Sequence, residues 1–138
     1  MSKLFPNAVM RTRAPYRFDI VGSFLRPDSL KQARRRCACG ECSLEEMHRV
    51  EDREIATLIA KEKAVGLPNV TDGEFRRTWW HLDFLFELLG VELAEAEEYS
   101  TKFQAHMHRP VTLKITDKIE FPNAHPFLAH FKALREEA

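Results

Sequence analysis

The stretch "VTDGEFRRTWWHLDF", residues 70–84, places acids, bases and the two tryptophans of the chain directly behind a strand-like run. That run ends in Asp72-Gly73-Glu74. A carboxylate that follows a glycine at the end of a strand can reach into a cleft and hold an ammonium group. The same acids could instead cap the helix that follows. Glu74 is therefore a candidate ligand for an amine, with helix capping as the alternative.

The composition is typical of a small globular protein. The 138 residues suffice for one domain with a core, and 44% are hydrophobic and 30% charged. A formal net charge of zero, from 21 basic and 21 acidic side chains, argues against a general nucleic-acid or membrane-surface binder. The basic run "ARRRC" at 33–37 is interpreted as a solvated helix face. The sequence contains no apolar run of the roughly 20 residues that span a bilayer and no clear signal peptide, so we expect a cytoplasmic protein.

Local patterns predict the elements of the N-terminal half. The clearest signal is "SLEE", residues 43–46, a capping box in which the Ser43 hydroxyl accepts from a free amide and Glu46 reaches back. Apolar residues then recur at helical spacing as far as Gly66. The elements predicted here are a loose arm over 1–15, a strand over 16–23, a helix over 29–38 capped by Asp28, and a helix over 44–65.

The C-terminal half gives shorter signals. Residues 69–74 have strand composition, and residues 79–90 are apolar on most sides, which predicts a largely buried helix. Alternating apolar residues over 110–121, on both sides of "TDK" at 116–118, predict a hairpin with one buried face. Pro126 marks the start of a closing helix. Strands that alternate with helices indicate an α/β fold with a parallel sheet.

Parallel sheets carry their chemistry at the carboxyl ends of the strands. Gly22-Ser23 ends the first predicted strand and Glu74 ends the second, so neighbouring strands would turn these residues toward one pocket. The Ser23 hydroxyl and the bare amides beside Gly22 suit a carboxylate. A plain turn at the end of the strand is the alternative.

Asp72, three arginines and both tryptophans are further candidates for the pocket. Arg26, Arg76 and Arg77 could form forked pairs with carboxylates, or could be ordinary surface ion-pair residues. Trp79 and Trp80 are most simply core or interface anchors, because each buries a large area.

The cysteines and two histidines raise the question of a metal site. Cys37, Cys39 and Cys42 have C-x-C-x2-C spacing with no fourth ligand nearby, whereas structural zinc usually takes four ligands, commonly in C-x2-C pairs. Their odd number also makes a poor disulfide framework. His106 and His108 would share a strand face without an apparent third ligand. No metal site is predicted.

Three segments together carry a resemblance to a known family. They are "DIVGSFLRP" at 19–27, "VTDGEFRRTWWHLDF" at 70–84 and "IEFPNAHPFLAHFKAL" at 119–134. The chain resembles the catalytic barrel of the cobalamin-independent methionine synthases, and more closely the short single-barrel relatives of these methyltransferases. The resemblance covers nearly the whole chain from residue 14 onward.

The resemblance implies a TIM (β/α)8 barrel. The chain would supply the first two strand–helix units, a hairpin and a closing helix, as one incomplete domain over 16–138. Members of the family transfer a methyl group from 5-methyltetrahydrofolate, usually polyglutamylated, to homocysteine. A zinc ion holds the homocysteine sulfur as thiolate, its nucleophilic form.

Site residues follow from the resemblance position by position. Val21, Gly22 and Ser23 match the segment that holds the homocysteine backbone, and Glu74 matches the acid that binds the same amino acid. The tryptophans would wall or support the pocket. The large enzymes have an acid where this chain has Trp79, so the thiol substrate could differ in this branch.

A complete barrel needs about 250 residues. The family's zinc ligands, a His-x-Cys pair with a later acid and a later cysteine, belong to a C-terminal half that this sequence lacks. We therefore expect no catalytic residue, metal ligand or cofactor in this chain and no activity of the chain alone. We also expect exposed apolar surface, with self-association or docking onto a barrel-completing chain. That surface is predicted around Phe84, Phe86, Phe127 and Phe131.

Two other interpretations remain open. The enzyme could be another zinc-dependent thiol alkyltransferase of the same superfamily. The chain could also be a non-catalytic interaction module or a truncated gene product.

Overall fold

The computed structural model describes Arg13, residues 20–95 and residues 111–138. The chain divides into two compact units: the first unit is Met1–Phe75 with Glu137–Ala138, and the second unit is Arg76–Glu136. The predicted arm over 1–15 lies outside the described residues apart from Arg13. The elements are α1 (Asp28–Ala38), α2 (Leu44–Ala64), α3 (Leu82–Leu85), β1 (Leu89–Glu95), β2 (Val111–Glu120) and α4 (Pro126–Glu137).

The first unit is built on α1 packed against α2. Helical spacing places apolar side chains of both helices on facing sides, where burying each one contributes roughly 1.5–3 kcal/mol. Phe75, beyond both helices, adds an aromatic ring to this core. The buried apolar residues of the unit are Leu30, Ala33, Ile55, Leu58, Ile59 and Phe75.

The predicted helix signals are largely confirmed. The Ser43 hydroxyl accepts from the Glu46 amide, and the Glu46 carboxylate accepts from the Ser43 amide at 2.8 Å, so the capping box is complete. The predicted cap of α1 is wrong. Asp28 lies inside the first turn, and the N-cap is Pro27, whose side chain has no acceptor to offer.

Both strands predicted in the first unit are wrong within the described residues. Residues 20–23 and 69–74 are extended or turning backbone without a strand, and residues 16–19 lie outside the described part. One backbone hydrogen bond joins the two segments, from Phe24 N–H to Gly73 C=O at 3.2 Å. A strand needs a continuing ladder of such bonds, and strand composition alone does not supply it.

The second unit contains an antiparallel pair of strands, β1 and β2. Leu89 pairs with Glu120, but Val91 pairs with Ile115, so β2 bulges between these two partners. Gly90 has φ +77 opposite the bulge, and a Cβ atom there would lie 2.5 Å from the Lys118 carbonyl oxygen. Only glycine fits this close approach of the two backbones.

The bulge explains why two predictions for this unit are wrong. The sequence "TDK" at 116–118 forms the bulge of one long strand, and not the turn of a hairpin within 110–121. The helix predicted over 79–90 is a single turn, α3, because Gly90 has a left-handed φ and residues 89–95 pair with β2. The predicted burial also fails, since Trp80 is 72% exposed.

The closing helix is confirmed, with Pro126 as its first residue. The predicted apolar exposure is confirmed for Phe84 and Phe131, whereas Phe86 and Phe127 are half-buried. The protein is thus of mixed helix and strand, and its sheet within the described residues is antiparallel, where a parallel one was predicted. Among the described helices, none has the length and apolar character needed to cross a membrane.

Candidate functional site

The Glu74 turn, residues 72–75, is the most unusual backbone in the first unit. The Phe75 amide donates to the Asp72 carbonyl at 3.2 Å, and the two central residues, Gly73 and Glu74, have φ +64 and +57. Positive φ at both central positions is the mark of a type I′ turn. For a residue with a Cβ atom this conformation costs roughly 1–2 kcal/mol. Glu74 is the one non-glycine residue of the described chain with positive φ.

Short local contacts hold the Glu74 turn in this conformation. The Asp72 carboxylate accepts from the Glu74 amide at 2.9 Å, and the Thr71 hydroxyl accepts from the Gly73 amide at 3.2 Å. Asp72 thus fixes the turn, and no helix begins here for it or Glu74 to cap. A Cβ atom on Gly73 would lie 2.5 Å from the Leu58 side chain, so the turn sits tightly on α2.

The segment 21–26 lies beside the Glu74 turn. The Phe24 amide donates to the Gly73 carbonyl, and the Arg26 guanidinium donates to the Glu74 carbonyl at 3.0 Å. Gly22 has φ +84, and Val21, Gly22 and Ser23 are exposed. The structure therefore brings the predicted Gly22-Ser23 segment and the predicted Glu74 together at one edge of the first unit.

A second arginine braces the same turn from α1. Arg34 donates to the Phe75 carbonyl at 2.6 Å and to the Glu51 carboxylate at 3.2 Å. Glu51, on α2, is 2% exposed and also contacts the His48 ring at 2.9 Å. Because a buried carboxylate without a partner is strongly destabilising, Arg34 ties α1, α2 and the Glu74 turn into one network.

Glu62 is a second buried acid, at the far end of α2. Its Oε2 atom accepts from the Thr71 amide at 3.1 Å, while Oε1 is buried without a hydrogen-bond partner. Burial raises the pKa of the Glu62 carboxyl, against the Thr71 hydrogen bond, and the charge of Asp72 raises the pKa further. Through the Thr71 amide, Glu62 thus holds the extended segment that leads into the Glu74 turn.

The sequence did not predict a role for Glu51, Glu62 or Arg34. The interpretation of "ARRRC" as a solvated face is wrong for Arg34 and right for the exposed Arg35 and Arg36. Helical spacing could have indicated that these three residues lie on the buried faces of their helices. Arg34 follows Leu30 by four residues, and on α2 the buried positions Glu51, Ile55, Leu58, Ile59 and Glu62 form one stripe.

The remaining predicted pocket residues belong to the second unit. The Arg77 guanidinium donates to the Trp80 carbonyl at 2.9 Å and lies over the Phe127 ring at 5.2 Å. Arg76 is half-buried. The backbone amide of Trp79 donates to Asp83, and both tryptophans are exposed, so they are not core anchors of this unit.

A buried histidine organises the second unit, and the sequence analysis missed it. His125 is 1% exposed among the rings of Phe84, Phe121 and Phe127. The Phe127 amide donates to His125 Nδ1 at 3.2 Å, so Nδ1 is an acceptor, and Nε2 donates to the Phe84 carbonyl at 3.0 Å. These two bonds define a neutral imidazole with its hydrogen on Nε2.

A metal centre needs several ligating side chains close together. Within residues 20–95 and 111–138, His, Cys, Asp and Glu side chains form no group of three or more that could hold a metal ion. His106 and His108 lie outside the described residues. The described residues therefore do not supply the ligand set of a zinc centre.

Comparisons with known proteins find similar proteins in two bacteria. No protein-family model matches the chain. The uncharacterized proteins YxjH and YxjG of Bacillus subtilis strain 168 are 43% and 40% identical over 130 and 132 residues, which cover 91% and 96% of this chain. A crystal structure from Listeria monocytogenes, provisionally identified as a vitamin-B12-independent methionine synthase, is 41% identical over 90% of this chain, with a TM-score of 0.70.

The chain is much shorter than these proteins. It spans 33% and 34% of the two Bacillus proteins and 33% of the Listeria protein. The similarity thus covers most of this chain but only about a third of the Listeria protein.

Proposed function

We propose that this chain carries part of the amino-acid site of a methyltransferase related to the vitamin-B12-independent methionine synthases. The substrate would be homocysteine or a similar amino thiol, and the product its S-methyl derivative. The proposal rests on the 41% identity to the Listeria protein and on the sequence resemblance of the three segments. The complete site, its methyl donor and a barrel fold are part of the same proposal.

One observation carries the proposal: the hydrogen bond from Phe24 N–H to Gly73 C=O. It holds the exposed Ser23 segment beside the Glu74 turn. A carboxylate and a hydroxyl with free backbone amides are complementary to the two charged groups of an amino acid. Glu74 would hold the ammonium group, and Ser23 with the Gly22 backbone would hold the carboxylate.

The strained backbone of Glu74 agrees with a binding role. Non-glycine residues with positive φ cluster at ligand sites, where the surrounding structure enforces the conformation. Here Asp72, Arg26 and Arg34 all bond to the turn. These bonds fix the backbone from which the Glu74 side chain extends, so less backbone freedom is lost when a ligand binds, which favours affinity.

Ligand binding to the whole chain tests the proposal. Isothermal titration would compare L-homocysteine with 4-mercaptobutyrate, which lacks only the amino group. We expect homocysteine to bind more tightly, and Glu74→Gln to weaken homocysteine by about tenfold while leaving 4-mercaptobutyrate unchanged. Glu41→Gln, at an exposed position of the same unit, is the matched control and should change neither. Equal binding of homocysteine to the Glu74→Gln variant and the unchanged chain would contradict the amine-binding role.

A non-catalytic role in association is a second candidate, favoured by the apolar surface of the second unit. Trp80, Ile115 and Phe131 are 72%, 67% and 62% exposed. Such surface promotes association, and at zero net charge little repulsion opposes it. A second copy of the chain is the proposed partner. Sedimentation velocity should show a concentration-dependent dimer that Phe131→Ser weakens, and a monomer at all concentrations would count against this role.

A further inference from the structure

The three cysteines of the chain lie together at the junction of α1 and α2. All three are free thiols, Cys39 exposed and Cys37 and Cys42 half-buried. Cys37 belongs to the last turn of α1, and Cys42 directly precedes Ser43, the N-cap of α2. The proposed amino-acid site does not use them.

The end of α1 folds the chain back over its own last turn. The Gly40 amide donates to the Cys37 carbonyl at 3.0 Å, and the Glu41 amide donates to the Arg36 carbonyl at 2.8 Å. With Gly40 at φ +74, this pair of bonds is a Schellman motif. Residue 42 therefore begins its return along the side of α1.

The thiol of Cys42 lies on the face of α1 that carries Cys37. Its Sγ atom contacts the Ala33 carbonyl oxygen at 3.6 Å. Cys37 follows Ala33 by four residues, so the two share one helix face. Burial raises the pKa of the Cys42 thiol, and the neighbouring Cys37 thiol raises it further. The Ala33 contact therefore places the Cys42 sulfur beside the helix face that carries Cys37.

We propose that Cys37 and Cys42 are a reversible modification site that closes to an intramolecular disulfide by exchange with a small disulfide such as oxidised glutathione. The Cys37 thiolate attacks one sulfur of glutathione disulfide, forming a mixed disulfide and releasing one glutathione thiolate. The Cys42 thiolate then attacks the Cys37 sulfur and releases the second. Two protein thiols lose two protons and two electrons, and one small disulfide gains them as two thiols.

Cys39 is excluded from the pair by its direction. Side chains two positions apart at a helix end do not face each other, so Cys37 and Cys39 point to different sides of α1. Cys39 is also exposed, whereas both members of the pair are half-buried. It should therefore remain a free thiol, or an adduct, when the pair closes.

Peptide mapping of the full chain tests the proposal. The chain is incubated with oxidised glutathione, remaining thiols are alkylated, and a glutamate-specific protease cuts between Glu41 and Cys42. We expect a loss of about 2 Da, with the Cys42 peptide joined to the peptide of residues 1–41 until a reductant is added. Because that peptide holds both Cys37 and Cys39, its fragmentation should place the alkylated thiol at Cys39. The Cys39→Ser variant should form the same link at the same rate. The Cys42→Ser variant should instead accumulate the mixed disulfide.

Three outcomes would overturn the proposal. One is a link that involves Cys39. Another is a stable glutathione adduct on Cys37 in the unchanged chain, and the third is alkylation of all three thiols after prolonged exposure. Circular dichroism of each variant confirms that α1 and α2 remain folded, so loss of the link cannot be attributed to unfolding.

Discussion

The two units of the molecule differ in how they use their apolar side chains. In the described part of the first unit, α1 and α2 together with Phe75 form a core of six buried apolar residues. Among the described residues of the second unit, Leu82 is the buried apolar residue. The most buried side chain there is His125, a polar residue. The first unit therefore has a source of stability of its own, whereas the second depends on backbone pairing and an aromatic cluster.

The contrast has a physical reason. Two helices can bury their facing stripes against each other, but a two-stranded ribbon leaves apolar side chains on both faces without cover. Ile115 on β2 and Phe131 on α4 remain exposed accordingly.

The largest effect is expected from removing core volume in the first unit. Ile59 on α2 is 1% exposed, so Ile59→Ala should lower the free energy of unfolding by about 4 kcal/mol. The same substitution at Ile115, which is 67% exposed, should cost less than about 0.5 kcal/mol. Urea unfolding followed by circular dichroism measures both. Similar losses at the two positions would remove the distinction between the units.

Gly90 tests whether backbone pairing stabilises the second unit. Gly90→Ala combines an unfavourable left-handed φ with a clash against the Lys118 carbonyl, and should cost about 3 kcal/mol locally. Gly66→Ala is the matched control, because Gly66 has φ +79 but open space around a Cβ atom, and should cost about 1 kcal/mol. Hydrogen exchange of β1 and β2 amides provides the readout. Unchanged protection in Gly90→Ala would refute the pairing described here.

Arg34 tests the polar network of the first unit. Arg34→Ala leaves the buried carboxylate of Glu51 without its cation and should cost about 2 kcal/mol. Arg49→Ala removes an exposed pair with Glu45 and should cost less than about 0.5 kcal/mol. Thermal unfolding distinguishes the two. If Arg49→Ala destabilised the chain as much as Arg34→Ala, the burial of Glu51 would make no difference to the strength of its ion pair.

The smallest predicted effect is a pH dependence of opposite sign at two glutamates of α2. Burial raises the pKa of Glu62, so its favourable contribution is complete below the unfolded pKa and is lost as pH rises through the folded value. Glu62→Gln should therefore gain stability over the unchanged chain as pH rises above the range where a glutamate ordinarily titrates, with a slope below about 1.4 kcal/mol per pH unit.

Glu46 supplies the control for that experiment. Hydrogen bonds from the Ser43 backbone and side chain lower the pKa of Glu46, so its contribution is present at neutral pH and is lost as pH falls through the folded value. Glu46→Gln should then be less stable than the unchanged chain at pH 7, by a difference that shrinks in acid. Parallel pH profiles for the two variants would contradict both assignments.

Elements with local sequence signals could be predicted, whereas elements that depend on a distant partner could not. The capping box at Ser43 and the terminal Pro126 are local signals, and the helices they mark form as expected. The strands over 16–23 and 69–74 needed partners that composition cannot reveal, and the bulge at 116–118 resembles a turn until the partner strand is known. At the site, Ser23 and Glu74 were identified from motifs, while Arg34 and Glu51 required knowledge of the helix pair.

A titration of the isotope-labelled chain with L-homocysteine, followed by amide chemical shifts, would test whether the Glu74 turn binds an amino acid. We expect saturable shifts concentrated at Gly22, Ser23, Gly73 and Glu74, and absent from the Glu74→Gln variant. Shifts confined to Trp79 and Trp80, or no saturable shift at all, would contradict the assignment of the Glu74 turn as an amino-acid site.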